Sequence, residues 1–389
     1  MLRTSLKKLD NYCFQNEYKG YSLYDSHTSP IPFEKFGHTI SFLINQFVKR
    51  SPVNIRQSIG VKKQINPKGM GVFLHAYTLQ KKYGNPLRLE DLDERIAYFY
   101  DWLKNNYSRG YSGHCWGYHY PWPKGDGIVV PQHTPNSVVT AFNIRAIFQY
   151  YLQTKDPSCM EIIDGAKNFI LNDIPRTENE DGICFAYTPV KRDMTINANL
   201  LAAEILAYDD YVHGKDEFQE TLKKVIEFTL SHQNEDGSWY YSHDTETGKP
   251  KKQIDFHQGY VLETIKRLCD YSSLKIDDYS DQVKAGLTFY RTNQFRNDGM
   301  SFWRLPKKWP VDIHNQSQGI ITFSAFKEFA PEYLNFATRI AGWTIDNMQG
   351  EKGNFYYQKW PMLTNKVSYM RWNQAWMMLA LTALIGNQK

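Results

Sequence analysis

The tetrapeptide Asn-Glu-Asp-Gly at 179–182 recurs at 234–237, and aromatic residues follow it in both places. Asp-Gly is typical of a tight turn, so each copy predicts a turn that leads into a short extended segment. Related turns occur at 298–299 and 352–353 and, in a more diverged form, at Gly113. The chain is therefore built from one unit that repeats along its length.

An apolar segment follows each turn, and it opens on an amide side chain next to a small residue. The five pairs are Asn136-Ser137, Asn197-Ala198, Gln258-Gly259, Gln318-Gly319 and Gln374-Ala375. Successive amides are 61, 61, 60 and 56 residues apart, and one more interval backwards reaches the apolar segment 67–80. Small residues at the start of a helix allow close packing around a narrow axis. We therefore expect six inner helices whose first amides face a common axis.

Amphipathic segments alternate with the apolar ones. They occupy 33–48, 91–105, 160–171, 217–230, 280–291 and 333–347. One apolar and one amphipathic helix in each repeat is what a double-layered ring needs. The predicted fold is all-α, an (α/α)6 toroid of six helical hairpins with short extended turns between them. It forms a single domain over 1–389, in which 1–30 is an N-terminal extension that packs on the ring.

The composition is that of a globular chain, because 42% of its 389 residues are hydrophobic and 22% are charged. A net charge of +5 suits an anionic ligand and does not indicate nucleic acid. No apolar run has the length of a signal peptide or a membrane span, and the five cysteines form no C-x-x-C pair. We therefore expect a cytoplasmic protein with no membrane span, no metal site and no cofactor.

Several local strings resemble the VpsJ-type family of polysaccharide biosynthesis proteins. They are VKRSPVNIR (48–56), NPKG (66–69), WGY (116–118), HTP (133–135), CFAYTP (184–189) and DFHQGYVLE (255–263). The resemblance implies a role in capsule or exopolysaccharide production, contact with other proteins of that machinery, and a six-hairpin toroid like those of glycoside hydrolases, polysaccharide lyases and sugar epimerases. Some members carry the label δ-aminolevulinic acid dehydratase. That chemistry belongs to a (β/α)8 barrel, whose alternating strands and helices this sequence lacks.

The loops that precede the predicted inner helices carry most of the reactive side chains, including an Asp-x-His written twice, at 255–257 and 312–314. If the ring closes, these loops converge at one end of it. The predicted catalytic residues are Asp193, Asp255, His257, Asp312, His314 and Tyr369. The predicted substrate-binding residues are Trp116, Tyr118, His119, Trp122, His133, Asn136, Asn197, Gln258, Gln318, Arg371 and Trp372.

Two reactions on an oligosaccharide or polysaccharide fit these residues. A glycosidase needs two carboxyl groups flanking the scissile bond, which Asp193, Asp255 and Asp312 could supply. A uronate lyase or epimerase needs a group that neutralises the sugar carboxylate, such as Asn197 or Arg371. It also needs an acid and a base, for which the candidates are His257, His314 and Tyr369. The basic balance of the chain favours the second reaction.

Structural and non-catalytic interpretations stand beside these. Asp255 and Asp312 are placed to cap helices, and the repeated amides can satisfy backbone groups at the centre of the ring. The same funnel would serve a protein that binds a glycan, or a biosynthetic partner, without altering it. A terpenoid cyclase or prenyltransferase is a third class, since Gln233, Gly237 and Trp239 match the Q-x-x-x-G-x-W turn of cyclase repeats. The sequence lacks the protonating D-x-D-D motif of such cyclases.

Overall fold

The computed structural model describes residues 1–123 and 129–388, without the side chains of Glu34, Phe36, Trp122 and Pro123. Helices dominate this part of the chain. Their bounds are α1 Leu2–Gln15, α2 His38–Arg50, α3 Pro67–Lys82, α4 Leu92–Asn105, α5 Ser137–Thr154, α6 Ser158–Asn172, α7 Ile196–His213, α8 Gln219–Ser231, α9 His257–Asp270, α10 Ser280–Asn293, α11 Ile313–Ala325, α12 Glu332–Met348 and α13 Trp376–Asn387. A π-helical turn, Met370–Ala375, leads directly into α13.

Six of the helices form an inner ring: α3, α5, α7, α9, α11 and α13. Each packs against the next along the chain, and α13 packs against α3, which closes the ring. Helices in this position are covered on both sides, so apolar residues surround them instead of forming one stripe. In α7, for example, every residue from Ile196 to Asp210 is buried. The predicted positions of the inner helices are thereby confirmed.

The outer layer contains α4, α6, α8, α10 and α12, as the sequence predicts, and its sixth member is α1. This helix buries Leu6, Leu9 and Cys13 against α12 and α13. The prediction that segment 33–48 fills this place is wrong. Helix α2 lies instead at the mouth of the ring, beside the 3₁₀ turns Asp25–Thr28 and Phe33–Phe36. Amphipathic periodicity predicts a helix with one buried face, and it does not say which layer that face meets.

The turn glycines show how each repeat joins the next outer helix. Gly353 has φ of +90°, and a Cβ placed there would lie 2.2 Å from the carbonyl oxygen of Lys8 in α1. Gly237 has φ of +87°, and a Cβ placed there would lie 2.5 Å from the carbonyl oxygen of Ala285 in α10. The contact of Gly353 with α1 therefore repeats the contact of Gly237 with α10, which identifies α1 as a true member of the outer ring.

Short strands connect the hairpins at the end of the ring where the inner helices begin. Their bounds are β1 Trp122–Pro123, β2 Val129–Val130, β3 Arg176–Asn179, β4 Gly182–Phe185, β5 Met194–Thr195, β6 Ser242–His243, β7 Pro250–Lys251, β8 Val311–Asp312, β9 Gln358–Lys359 and β10 Thr364–Asn365. All pairings are antiparallel: β1 with β2, β3 with β4, and two three-stranded sheets in the orders β5-β6-β7 and β8-β9-β10. The two larger sheets link the loops of neighbouring repeats.

A buried polar side chain in each of five inner helices accepts the backbone N–H of the aromatic segment that precedes that helix. Gln258 accepts from the N–H of Trp239 and donates to its carbonyl, both at 2.8 Å. Gln374 does the same for Phe355, at 2.8 and 2.9 Å. The complete series is Thr140, Asn199, Gln258, Gln316 and Gln374. Its intervals of 59, 59, 58 and 58 residues are more regular than those of the predicted amide series.

The predicted amide series shares only Gln258 and Gln374 with this series, and these two amides bond the preceding aromatic segment, where the prediction has them facing the axis. Asn136 accepts the N–H of Val139 and caps α5. Gln318 donates to Glu263 and Thr322 within the ring, and Asn197 stands two residues before Asn199. Amides are frequent near the starts of these helices, so their positions alone did not reveal which of them reaches the preceding turn. Asn136, Gln258 and Gln374 hold backbone in place, as the structural interpretation expects.

Candidate functional site

The amino-terminal ends of the inner helices open into a cavity of about 690 Å³. Its floor is formed by residues in the first turns of α3, α5, α7, α9 and α11 and in the π-helical turn before α13. Its walls come from the two three-stranded sheets, and Phe42 and Lys49 of α2 line it near the mouth. This volume is within the range of ligand-binding pockets. Helix amino termini carry partial positive charge, so the backbone itself favours an anion at the floor.

Asp255 and His257 form a hydrogen-bonded pair in the wall. The Nδ1 atom of His257 lies 2.5 Å from Oδ1 of Asp255, while Oδ2 of Asp255 accepts from Gln253 at 2.7 Å and lies 3.3 Å from Nε of Arg304. Burial alone would raise the pKa of Asp255, but His257 and Arg304 outweigh it and hold that pKa below its ordinary value. The carboxylate orients the imidazole through Nδ1, which makes Nε2 the nitrogen suited to proton transfer.

Asp312 stands at the corresponding position of the next repeat and is engaged differently. It caps α11 by accepting the N–H of His314 at 3.0 Å, and it also accepts from Gln358 and from the indole of Trp372, both at 2.9 Å. Burial raises the pKa of this carboxyl group despite these bonds. The side chain of Asp312 therefore holds Trp372 and the start of α11.

His314 is buried and hydrogen-bonded to Tyr260. Its Nδ1 lies 3.4 Å from the carbonyl oxygen of Trp372, and its Nε2 lies 2.6 Å from the hydroxyl of Tyr260. Because a carbonyl can only accept, Nδ1 carries the proton and Tyr260 donates to Nε2. Burial, reinforced by the charges of Lys68 and Arg371, lowers the pKa of His314 well below its ordinary value. The imidazole of His314 is thus neutral at neutral pH.

The ring of Phe256 separates the two imidazoles. Its centroid lies 4.1 Å from that of His257 and 4.4 Å from that of His314. Tyr260 completes the group, with its ring 5.7 Å from His257 and 5.9 Å from His314. Two proton-transfer groups, one paired with a carboxylate and one with a phenol, therefore share one wall of the cavity.

Lys68 and Arg371 lie at the floor, and each is only 4% exposed. The ammonium of Lys68 stands 4.1 Å from the ring centroid of Phe142, and the guanidinium of Arg371 lies 5.2 and 5.3 Å from the rings of Tyr118 and Trp372. Burial, followed by the charges of Arg371 and Arg145, lowers the pKa of Lys68 well below its ordinary value. Lys68 belongs to the NPKG string at 66–69, but the string does not predict its place in the site.

The structure brings nine of the predicted site residues together around the cavity: Asp193, Asp255, His257, Asp312, His314, Tyr118, Asn197, Arg371 and Trp372. Asp193 accepts from the hydroxyl of Thr195 at 2.8 Å and from the backbone N–H of Tyr187. Lys68, Phe256 and Tyr260 also line the cavity, and none of them is among the predicted site residues.

Other predicted residues lie away from the cavity wall: Trp116, His119, His133, Asn136, Gln258, Gln318 and Tyr369. Tyr369 is buried behind the wall, where Arg56 stacks on its ring at 4.9 Å and Tyr357 meets it edge-on. Burial raises the pKa of Tyr369 to about 12, and its position behind the wall opposes the predicted catalytic role. The predicted binding residue Trp122 has a side chain that lies outside the described part of the chain.

A possible metal-binding group occurs elsewhere in the part of the structure that is described. Asp164, Asp209 and His213 bring their ligand atoms within 4.8 Å of one another on α6 and α7. The ammonium of Lys167 already bonds Asp164 at 2.7 Å and lies 3.2 Å from Asp209. The positive charge of Lys167 therefore occupies the place that a cation would take.

Comparison with solved structures shows what the ring resembles. The cellobiose 2-epimerase of Bacillus thermoamylovorans superposes with a TM-score of 0.64 at 13% identity, covering 83% of this chain and 89% of that one. An unsaturated glucuronyl hydrolase specific for heparin superposes with a TM-score of 0.61 at 13% identity, covering 99% of this chain and 96% of that one. The GH76 α-mannanase of Bacteroides thetaiotaomicron superposes with a TM-score of 0.62 at 12% identity, covering 83% of this chain and 86% of that one. The chain is an (α/α)6 toroid.

These identities are low enough that the likeness concerns the fold alone. No protein-family description matches the sequence, and no curated protein does. The resemblance to VpsJ-type proteins therefore stays a prediction. Across the described residues, no helix combines the length and the apolar character needed to cross a lipid bilayer.

Proposed function

We propose that this protein is a saccharide-converting enzyme that moves a proton on its substrate, as a sugar epimerase or a uronate lyase does. The observation that carries the proposal is the pair of imidazoles, His257 and His314, on the two sides of Phe256 in one cavity wall. Acid-base catalysis needs such groups within reach of one carbon and with different proton affinities. The two histidines have different partners, since a carboxylate faces His257 and a phenol faces His314.

The chemistry assigns a role to each group. Nε2 of His257 takes a proton from the carbon next to a carbonyl or carboxylate group, and Asp255 stabilises the imidazolium that forms. The electrons of the broken C–H bond move into that carbonyl or carboxylate. An epimerase then returns a proton to the other face, for which Tyr260 and His314 are the donor pair, whereas a lyase expels the group on the next carbon as a double bond forms.

A glycosidase fits the geometry less well. That reaction needs one carboxyl group free to donate a proton and a second free to attack or to activate water. His257 and Arg304 hold Asp255 as a carboxylate, and the carboxyl oxygens of Asp312 accept three hydrogen bonds. A terpenoid cyclase also fits poorly, because the floor carries Lys68 and Arg371 where a carbocation would have to form.

The solved structures with this fold include a cellobiose 2-epimerase, an α-mannanase and an unsaturated glucuronyl hydrolase, and these relatives in fold support a saccharide as the substrate. A role in capsule or exopolysaccharide production, a cytoplasmic location, and a single domain over the whole chain belong to the same proposal. A glycan-binding protein without activity is the remaining alternative, since the aromatic side chains of the cavity would serve it equally.

Solvent exchange tests the proposal most simply. The purified protein is incubated in D2O with a panel of neutral, amino and acidic sugars, and mass spectrometry follows deuterium uptake while ultraviolet absorbance follows unsaturated uronate. We expect one deuterium per turnover in an epimerised sugar, or the absorbance of a lyase product.

A matched pair of variants locates the activity. His257→Gln should lose at least 100-fold in rate, in line with the loss of a general base, while His133→Asn should not differ from wild type because His133 is exposed and outside the cavity. Equal activity of the two variants would exclude His257 as the base. Measurable sugar binding with no exchange anywhere in the panel would favour the binding protein.

A further inference from the structure

The wall of the cavity carries more positive than negative side chains. Six lysines and arginines line it against three aspartates: Lys49, Lys68, Lys191, Lys251, Arg304 and Arg371 against Asp193, Asp255 and Asp312. All three aspartates are engaged by the hydrogen bonds described above. Lys68 and Arg371, which lie at the floor, are the most deeply buried of these positive side chains.

Buried cations in this protein otherwise have carboxylate partners. Among the described residues four lysine or arginine side chains are buried, namely Arg56, Lys68, Arg145 and Arg371. Arg56 bonds Asp25 at 2.6 Å, and Arg145 bonds Glu204 at 2.5 Å and Glu263 at 3.2 Å. Within the same described part of the chain, no carboxylate pairs with Lys68 or Arg371.

The surroundings of Lys68 are aromatic and cationic. Its ammonium lies 4.1 Å from the centroid of Phe142, 5.4 Å from that of Trp376 and 5.7 Å from that of Tyr260. The charged groups that act on it, Arg371 and Arg145, repel it. Aromatic faces compensate only part of the cost of burying an ammonium group.

Arg371 is in a similar position. Its Nε atom is buried and has no hydrogen-bond partner, and its guanidinium lies 5.2 and 5.3 Å from the ring centroids of Tyr118 and Trp372. A guanidinium presents a planar fork of donors that matches the oxygens of a carboxylate or phosphate. Two adjacent buried cations without an anion are costly unless a ligand supplies the anion.

We propose that Lys68 and Arg371 together bind an oxyanion on the saccharide substrate, either the carboxylate of a uronic acid or a phosphate or sulfate ester. This inference deepens the proposed function, on which it rests, by naming the substrate class of the same cavity. With a uronate bound in this way, the carbon next to the carboxylate faces the wall that carries His257. Lys68 and Arg371 then stabilise the negative charge that reaches the carboxylate oxygens when His257 removes the proton.

Calorimetric titration distinguishes the possible sources of the anion. The probes are glucuronate, glucose 6-phosphate, inorganic phosphate, inorganic sulfate and neutral glucose, each titrated into the wild-type protein. We expect at least one of the anionic sugars to bind tenfold or more tightly than glucose, and the inorganic anions to compete with it. The tighter of the two anionic sugars tells whether the natural group is a carboxylate or a phosphate.

Three variants test the residues. Lys68→Met and Arg371→Met should each lose the preference for the anionic sugar by roughly 10- to 100-fold, the usual range for a hydrogen bond to a charged group. Lys223→Met should keep it, because Lys223 lies on the outer helix α8, outside the cavity, where it pairs with Glu227. Circular dichroism of each variant checks that it is folded.

Two results would overturn the inference: glucose binding as tightly as both anionic sugars, or a preference that survives in Lys68→Met and Arg371→Met. Its failure can be told from that of the proposed function. Deuterium exchange on a neutral sugar without any anion preference would leave proton transfer standing and remove the anion site. An anion preference without exchange on any sugar would leave the anion site standing and remove proton transfer.

Discussion

Replacing Gln258 by Leu should destabilise the protein and leave the specific activity of the folded fraction unchanged. The amide of Gln258 bonds both the N–H and the carbonyl of Trp239 at 2.8 Å, and both residues are buried. Leucine has a similar size and no polar atoms, so it would leave two buried backbone groups without partners. At about 1–3 kcal/mol for each group, the free energy of unfolding should fall by about 2–6 kcal/mol.

Gln349 offers a matched control for this change. Its amide also makes two hydrogen bonds to backbone, to the carbonyls of Ser5 and Gly353 at 3.0 and 2.9 Å, but it is only partly buried. Water can replace those bonds, so Gln349→Leu should cost about 1 kcal/mol or less.

Urea unfolding followed by tryptophan fluorescence measures both variants, and the initial rate on the best saccharide reports activity. Equal unfolding midpoints for Gln258→Leu and wild type would refute the anchoring role. If Gln258→Leu instead lost activity at unchanged stability, the original prediction that Gln258 binds substrate would be supported.

Three further predictions concern charge and packing. The pKa of Asp255 is lowered in the folded protein, so this carboxylate stabilises the fold above its ordinary pKa of 3.8 and loses the effect as pH falls through the folded-state pKa. In urea titrations, the stability advantage of wild type over Asp255→Asn should therefore shrink below about pH 3.8. An advantage that stays constant in acid would contradict this prediction. Lys68→Met should raise the free energy of unfolding of the ligand-free protein by about 1–3 kcal/mol, since it removes a buried amino group that has no carboxylate partner, and a lower urea midpoint would contradict this reasoning. Gly353→Ala should lower the free energy of unfolding by more than the roughly 1–3 kcal/mol that backbone strain alone costs, because the new Cβ also meets Lys8. In the control Gly248→Ala the new Cβ has open space. Equal thermal shifts in the two variants would disprove the packing role of Gly353.

The ring could be predicted from the sequence because the signals that determine it are local and recur in every repeat. Each repeat carries its own turn, its own apolar helix and its own amphipathic helix, and the periodicity counts the hairpins. The identity of the sixth outer helix could not be obtained in the same way. Helix α1 and α2 are both amphipathic, and only the long-range contact between Lys8 and Gly353 distinguishes the ring member from the helix at the mouth.

The candidate site was predicted less completely. The Asp-x-His repeat was informative because equivalent positions of a ring must converge at one end. Lys68 was missed because a lysine in the first turn of a helix is usually exposed, and its burial depends on Phe142 and Trp376 from other repeats. Tyr369 was wrongly included because it is close to Arg371 in sequence, whereas its ring packs behind the wall against Arg56.

A crystal structure with a bound acidic saccharide is the most direct test of the account. We expect a carboxylate or phosphate oxygen within roughly 3 Å of Nζ of Lys68 and of the guanidinium of Arg371. The adjacent carbon of the sugar should then face Nε2 of His257. A saccharide whose charged group lies at Lys191 or Lys251 near the mouth, with the floor unoccupied, would contradict the account.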